Sequence, residues 1–440
     1  MNMTRRQMLF SSALLAQAGG ARPSPRQLLW HGMETYAFLH FTMNTFTDKE
    51  WGYGDEDPRL FAPTAFDADA IIDALHAGGM RGVILTCKHH DGFCLWPTKT
   101  TSHSVMAGFK RDVVKEISAA AARRKMKFGV YLSPWDRNHA LYGRQGYVDV
   151  YRAQLTELLT NYGPVFEVWH DGANGGDGFY GGAREKRMID KKNYYDWPGT
   201  WELVRKLQPD AVIFSDVGPD IRWVGNEKGF ANETCWATYA PVGPDGGAPA
   251  PGFTRDKEGM TGHRDAAQWL PAECDVSIRP GWFWHEKENA RVKTGAELME
   301  LYFKSVGRGA SFLLNVPPDR RGLLHEADVA SLRDFGRRVR GTFAKNLAGK
   351  MDRDMTVRVR GEWNVVRLRE EIAQGQRVDA FAVDAWVGGD WKTVAEGTSI
   401  GACRLIRLPE MQRAPKVRVR VQRSSGPVVW KELGVYRETL

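Results

Sequence analysis

Between residues 36 and about 345, eight short apolar runs alternate with stretches of helical period, and this alternation constrains the fold more than any other feature. The runs cover residues 36–41, 82–88, 127–132, 165–170, 211–215, 234–238, 275–278 and 310–316. Most are continuous rather than alternating, as expected of strands covered on both faces of a parallel sheet. The helices between them carry start and stop signals. Asp67 can cap a helix with Ala70, Ile71, Ala74 and Leu75 on one face, and Gly78 and Gly79 end it. Residues 112–124 place Val113, Val114, Ile117 and Ala121 on one stripe. Residues 149–162 do the same with Leu155, Leu158, Leu159 and Tyr162, before Gly163-Pro164. Eight strand–helix units predict an α/β fold, a (β/α)8-like TIM barrel over residues 26–347. From residue 348 the period falls to two, strictly so in 356–360 and 416–421, with a hairpin signal at Gly388-Gly389-Asp390. Residues 348–440 therefore predict a small C-terminal antiparallel β-sandwich.

Composition narrows the partners. The formal charge of +8 is spread among acidic residues with no dominant basic run, so a nucleic-acid-binding stripe is not expected. The 16 Trp and 46 Gly suggest aromatic platforms on loops, the kind of surface against which a sugar's C–H face packs. Thr4-Arg5-Arg6 before a short apolar stretch ending Ala16-Gln17-Ala18 resembles a twin-arginine export signal over residues 1–18. Export to the periplasm, or secretion, is the expectation, and the stretch is too short to span a bilayer. The five cysteines show no metal spacing; buried free thiols are expected, with a Cys235–Cys274 pairing left open.

In such a barrel the chemistry gathers at the C-terminal strand ends. There the sequence offers His40, His89-His90-Asp91-Gly92, Tyr131 with Ser133-Pro134-Trp135, Trp169-His170-Asp171-Gly172, Asp216, Trp236, Arg279 with Trp282, and Asn315. Three histidines are present without HxH or HExxH spacing. On an extended chain, adjacent His89 and His90 point opposite ways, so no metal cofactor is expected. Glycoside hydrolysis needs two carboxyl groups. Asp171 is the nucleophile candidate, directly after an apolar strand and before Gly172. Asp216, Asp220, Glu227, Glu233, Glu273 and Asp275 qualify by position as its partner; Glu227, with Trp223 and Gly225-Asn226 around it, is preferred because such a setting raises a carboxyl pKa.

Over residues 30–437 the sequence resembles glycoside hydrolase family 29, the α-L-fucosidases. The resemblance runs through Phe38-Leu39-His40-Phe41, Glu50-Trp51-Gly52-Tyr53-Gly54, Lys88-His89-His90-Asp91-Gly92-Phe93, Tyr131-Leu132-Ser133-Pro134-Trp135-Asp136 and Trp169-His170-Asp171-Gly172. It continues through Arg222-Trp223-Val224-Gly225-Asn226-Glu227 and Ser277-Ile278-Arg279-Pro280-Gly281-Trp282-Phe283. It implies a retaining double displacement on fucosylated oligosaccharides, with Asp171 as nucleophile. Glu227 is implied as acid/base, as in the subgroup that favours fucose α-1,3/1,4-linked in branched glycans. His40, Trp51, His89, His90, Tyr131, Trp135 and Trp282 match positions lining the fucose pocket, and Trp169 and Arg279 join them as strand-end residues. His170 departs from the aromatic residue expected before the nucleophile; on a strand its side chain should point away from the pocket. Two other readings are a non-catalytic glycan-binding protein and a metal-dependent hydrolase using His40, His89 and Asp171.

Overall fold

The chain is described by a computed structural model covering residues 20–438, so the expected export signal lies outside the described residues. Eight strands close a parallel barrel in the order β1-β10-β9-β8-β7-β4-β3-β2. They are β1 (Thr35–Leu39), β2 (Gly82–Lys88), β3 (Lys127–Leu132), β4 (Val165–Trp169), β7 (Val212–Ser215), β8 (Ile221–Trp223), β9 (Ala272–Ser277) and β10 (Ser311–Asn315). A short hairpin, β5 (Gly176–Gly178) with β6 (Glu185–Arg187), hangs from the loop after β4. The barrel strands are almost wholly buried, as their unbroken apolar runs require.

Helices cover the barrel, the first three where the sequence places them. Ala68–Ala77 is capped by Asp67, whose carboxylate accepts the Ala70 N–H at 3.0 Å. Its buried face is Ala68, Ile71, Ile72, Ala74 and Leu75, while Ala70 is exposed. Val113–Arg123 and Tyr147–Asn161 follow, the latter burying Leu155, Leu158 and Leu159. Trp197–Leu207, Gly295–Lys304 and Glu326–Phe343 complete the shell.

One strand differs from the expectation. The sixth barrel strand is β8, not residues 234–238; no α-helix separates it from β7 or from β9, only a single 3-10 helix, Asp256–Met260, before β9. The 234–238 run is apolar for another reason: it is a loop buried between barrel and sandwich. Cys235 joins Val224, Ala272 and Cys274 in a small apolar cluster, and Ala237 packs with Trp269 and Ile372. The Cys235 and Ala237 N–H groups donate to Ser399 Oγ (2.9 Å) and Gln376 Oε1 (2.8 Å), which replaces a strand ladder. Cys235 and Cys274 are both free thiols.

Beyond Phe343 the chain forms two packed antiparallel sheets. One holds β11 (Thr356–Arg358), β16 (Lys416–Ser424), β13 (Val378–Val387) and β14 (Asp390–Gly397), in that order. The other holds β15 (Arg404–Gln412), β12 (Trp363–Glu370) and β17 (Trp430–Tyr436). Inward residues of both sheets, among them Trp363, Phe381, Val417 and Val435, make a core separate from that of the barrel.

Candidate active site

A cavity of about 350 Å³ opens at the C-terminal ends of the barrel strands, within the size range of small-ligand sites. Its floor is aromatic. Trp169, the last residue of β4, stacks on Phe214 with ring centroids 4.1 Å apart, and its indole N–H donates to Glu273 Oε1 at 2.8 Å. Phe38 and Tyr131 pack against the same indole.

Asp171 stands two residues beyond Trp169, in the cavity wall. Its Oδ2 accepts the Tyr131 hydroxyl at 2.8 Å, and its Oδ1 accepts the Ala173 N–H at 2.7 Å. Burial raises its pKa, and those two donors pull the other way. Gly172 is required by space: a Cβ there would sit 2.2 Å from Asp216 Oδ2. Asp216, just past β7, lines the same cavity and accepts the Gly252 N–H at 2.7 Å; burial lifts its pKa to about 7.

Glu227 enters from the loop after β8. Its Oε2 accepts the Trp282 indole N–H at 3.2 Å, and burial raises its pKa, with the Asp171 charge adding to the effect. Trp282 is itself held from behind, its backbone N–H donating to Glu50 Oε2 (2.8 Å) and its carbonyl accepting from Asn315 Nδ2 (2.7 Å). Trp223 lies beside it in the wall, with its indole N–H on Asp275 Oδ1 at 2.7 Å.

The three histidines form one polar side. Burial lowers the pKa of each, to about 3 for His40 and His90 and well below 6.5 for His89, so near neutrality all three are uncharged. Their hydrogen-bond partners set their roles. Asn315 Oδ1 accepts from His40 Nδ1 at 2.9 Å, so Nε2 of His40 is an acceptor. Asn44 Nδ2 faces His89 Nδ1 at 3.3 Å while Asn44 Oδ1 takes the Gly52 N–H, so His89 carries its proton on Nε2. Ser133 gives its hydroxyl proton to the Trp135 carbonyl and accepts from His90 Nδ1 at 2.7 Å, leaving His90 Nε2 as an acceptor 3.8 Å from Asp171 Oδ2. Neutral rings with mixed donors and acceptors suit hydroxyl groups.

Placement differs from the expectation at several residues. His89 and His90 do not point opposite ways; their rings lie 4.1 Å apart and both line the cavity. The strand ends at Lys88 and the chain turns, with the Gly92 N–H donating to the His89 carbonyl and Gly92 at φ +78°. Arg279 is turned into the protein, where Asp328 Oδ2 accepts from its Nε and Nη2 at 3.0 and 2.9 Å; it does not line the cavity. Trp135 stands behind the wall, edge-on to Trp51 at 5.6 Å and donating to the Tyr180 hydroxyl. Trp236 is buried under Arg264, away from the site. His170 points outward, with its Nδ1 2.8 Å from the Tyr151 hydroxyl. His40, Trp51, His89, His90, Tyr131, Trp169, Asp171, Glu227 and Trp282 all reach the cavity. Among the described residues, no group of three His, Cys, Asp or Glu is arranged to hold a metal ion.

The other carboxylates sort themselves by partner. Asp220 meets Arg205 and Arg26, and Glu233 meets Arg308 and Arg404. Glu273 is buried under Trp169 beside Glu167 and the Tyr36 hydroxyl. Burial raises both carboxyls, that of Glu167 well above its usual range with the Glu273 charge adding, while hydrogen bonds with Glu167, Tyr36 and Trp169 offset part of the rise at Glu273. Sequence reasoning did not find Phe38, Glu50 or Asn44 as site residues. Phe38 reads as an ordinary strand residue. The other two act through backbone and ring contacts that no local pattern encodes.

The chain is similar to a set of known proteins of one family. The family described as Alpha-L-fucosidase matches residues 26–341. Alpha-L-fucosidase 1 of Arabidopsis thaliana is 38% identical, over 94% of this chain and 87% of that protein. A glycoside hydrolase 29 family member from an unknown rumen bacterium superimposes with a TM-score of 0.89 at 41% identity, covering 96% of this chain and 78% of the other. A family 29 fucosidase of Ruminococcus gnavus, solved with fucose, gives a TM-score of 0.81 at 29% identity over 95% of each chain.

Proposed function

The chain belongs to the α-L-fucosidase family of glycoside hydrolases, and from that premise we propose a retaining exo-hydrolysis in which Asp171 and Glu227 divide the chemistry. Asp171 attacks the anomeric carbon of a terminal α-L-fucose while Glu227 protonates the departing oxygen. This leaves a β-fucosyl ester on Asp171. Glu227, now ionised, takes a proton from water, which attacks the same carbon and releases fucose with its original configuration. The observation that carries the reading is that these two carboxyl groups, from different strand ends, open into one cavity with no lysine or arginine in its lining. Their environments support different protonation. Asp171 has two donors that stabilise its ionised form, whereas Glu227 has one long indole bond and a negative neighbour that favours its proton.

The aromatic floor offers the deoxy carbon of fucose an apolar contact, and the neutral histidines offer its hydroxyls directional partners. Trp223, Pro244, Thr254 and Asp256 also line the cavity, and we assign this part of it to the leaving sugar. Together with the Trp223-Val224-Gly225-Asn226-Glu227 stretch, this supports α-1,3/1,4-linked fucose on branched glycans as substrate. Release of fucose from α-1,3 and α-1,4 oligosaccharides should exceed that from α-1,2 oligosaccharides and an aryl fucoside; the reverse order overturns the linkage assignment. For Asp171→Ala, turnover should fall by roughly 10⁴-fold, with azide restoring part of it as β-fucosyl azide. Hydrolysis near the parent rate would remove Asp171 from its role. The paired Arg5-Arg6 segment supports export, and lysine at both positions should retain the protein in the cytoplasm.

A further inference from the structure

At the edge of the sandwich, far along the chain from the catalytic loops, a groove of about 870 Å³ runs between residues 345–352 and the first strands of the four-stranded sheet. Five cations line it: Lys345, Lys350, Arg358, Arg360 and Lys416. A single carboxylate, Asp352, faces them, and its Oδ1 accepts the N–H groups of Asp354 and Thr356. Among the described residues none of the five cations forms an ion pair. Many other arginines of this domain are paired. Arg418 and Arg420 share Asp384, Arg369 meets Glu34 and Glu432, and Arg413 meets Glu362.

The arrangement works against stability. Arg358 and Lys416 are directly opposed on the antiparallel pair β11–β16, where like charges repel. Backbone bonds hold them there: the Gly349 N–H donates to the Arg358 carbonyl and the Arg360 N–H to the Leu347 carbonyl. Trp391 forms part of the same wall, edge-to-face with Trp386 at 5.2 Å and with the Arg418 guanidinium over its ring at 4.4 Å. The Lys416 ammonium lies 5.1 Å from the Trp386 ring centre. A groove that concentrates unpaired cations beside an indole is built for an anion carried on a flat, partly apolar frame.

We propose that this groove is a second glycan-binding site, taking a saccharide chain that bears sulfate or carboxylate groups. The guanidinium pair of Arg358 and Arg360 recognises the anionic group, and the part of Trp391 that lines the groove, not covered by Arg418, packs against a sugar. The confined groove and its indole favour this ligand over a nucleic acid, which requires a stripe of positive charge along its backbone. Held there, an acidic glycan would raise the local concentration of its own fucosylated branches around the enzyme.

The test uses the full chain and calorimetric titration at about 0.15 M salt, near physiological ionic strength. The probes are a sulfated dextran oligosaccharide, an oligogalacturonate, neutral dextran, a short DNA duplex, and phosphatidylglycerol-containing vesicles. At least one anionic saccharide should bind, neutral dextran should not, and the stronger of the two identifies sulfate or carboxylate as the group recognised. Arg358→Glu with Arg360→Glu should weaken that binding at least roughly tenfold. Trp391→Ala should weaken it about threefold, and hydrolysis of a small fucoside should stay at the parent rate in both variants. Charge reversal at Lys125 and Arg333, outside the groove, is the control and should leave binding in place. Failure of both anionic saccharides to bind overturns the proposal. So does an equal loss in the control variant, or tighter binding of DNA or vesicles with the same response to the Arg358 and Arg360 changes.

Discussion

In the sandwich, Asp384 accepts from Arg418 at 2.8 Å and from Arg420 at 2.6 Å, and these partners, Arg420 first, hold its carboxyl well below the usual carboxylate range. At the barrel mouth, Asp171, Asp216 and Glu227 share a cavity with neutral histidines and indoles, and burial pushes all three upward. The first arrangement stabilises the fold wherever the carboxylate is ionised. The second costs stability in the same pH range and keeps acids of different proton affinity side by side. The sandwich uses this carboxylate as a structural anchor, and the barrel mouth withholds counter-charges so that its carboxylates remain reactive.

Three substitutions break or sharpen this contrast. The largest effect is expected at the mouth. Glu227→Ala should lower kcat/KM on an oligosaccharide by about 10²–10³-fold, with a much smaller loss on a fucoside whose leaving group needs no proton. The alkaline limb of the pH–rate profile, assigned to the raised Glu227 carboxyl, should vanish in that variant. Equal losses on both substrates would show that Glu227 binds rather than protonates.

Next is Asp384→Asn, which leaves two guanidinium groups without their carboxylate and should cost about 2 kcal/mol with activity intact. Because the folded-state pKa of Asp384 is depressed, its contribution is present above the ordinary carboxylate pKa and fades as pH falls through the folded one. Denaturation midpoints of parent and variant should therefore separate most near neutrality and converge in acid.

Asp216→Asn should act in the opposite direction and more weakly, stabilising by about 1 kcal/mol after allowance for its partial exposure. Its folded-state pKa lies near 7, so the parent pays for ionisation as pH rises from about 4, where the unfolded chain ionises, through 7. The variant's advantage should be absent near pH 4 and complete above pH 7. A destabilised variant at pH 8 would mean that the Gly252 bond needs a charged acceptor.

Much of this was legible in the residues. The barrel followed from continuous apolar runs, and Asp171 from its place after β4 with Gly172 behind it, because a strand end fixes direction and a glycine marks close approach. The sixth strand was not legible. The buried loop 234–238 produces a short apolar signal, whereas β8 is three residues with Arg222 at its centre, and only long-range pairing shows which is the strand. His89 and His90 were misplaced by assuming extended geometry one residue too far. Arg279 sits at a strand end like the residues that line the cavity, and its partner Asp328 lies 49 positions away. The supports of the site, Glu50 under Trp282 and Asn44 beside His89, are contacts between segments with no shared periodicity.

The central claim is that Asp171 becomes covalently bonded to the sugar. Incubating the enzyme with a 2-deoxy-2-fluoro-fucosyl fluoride slows hydrolysis of the intermediate, and peptide mass spectrometry then locates the adduct. The account predicts one fluorofucosyl ester per chain, on Asp171. An ester on Asp216 or another carboxylate, or turnover that proceeds with inversion and no adduct, would contradict it.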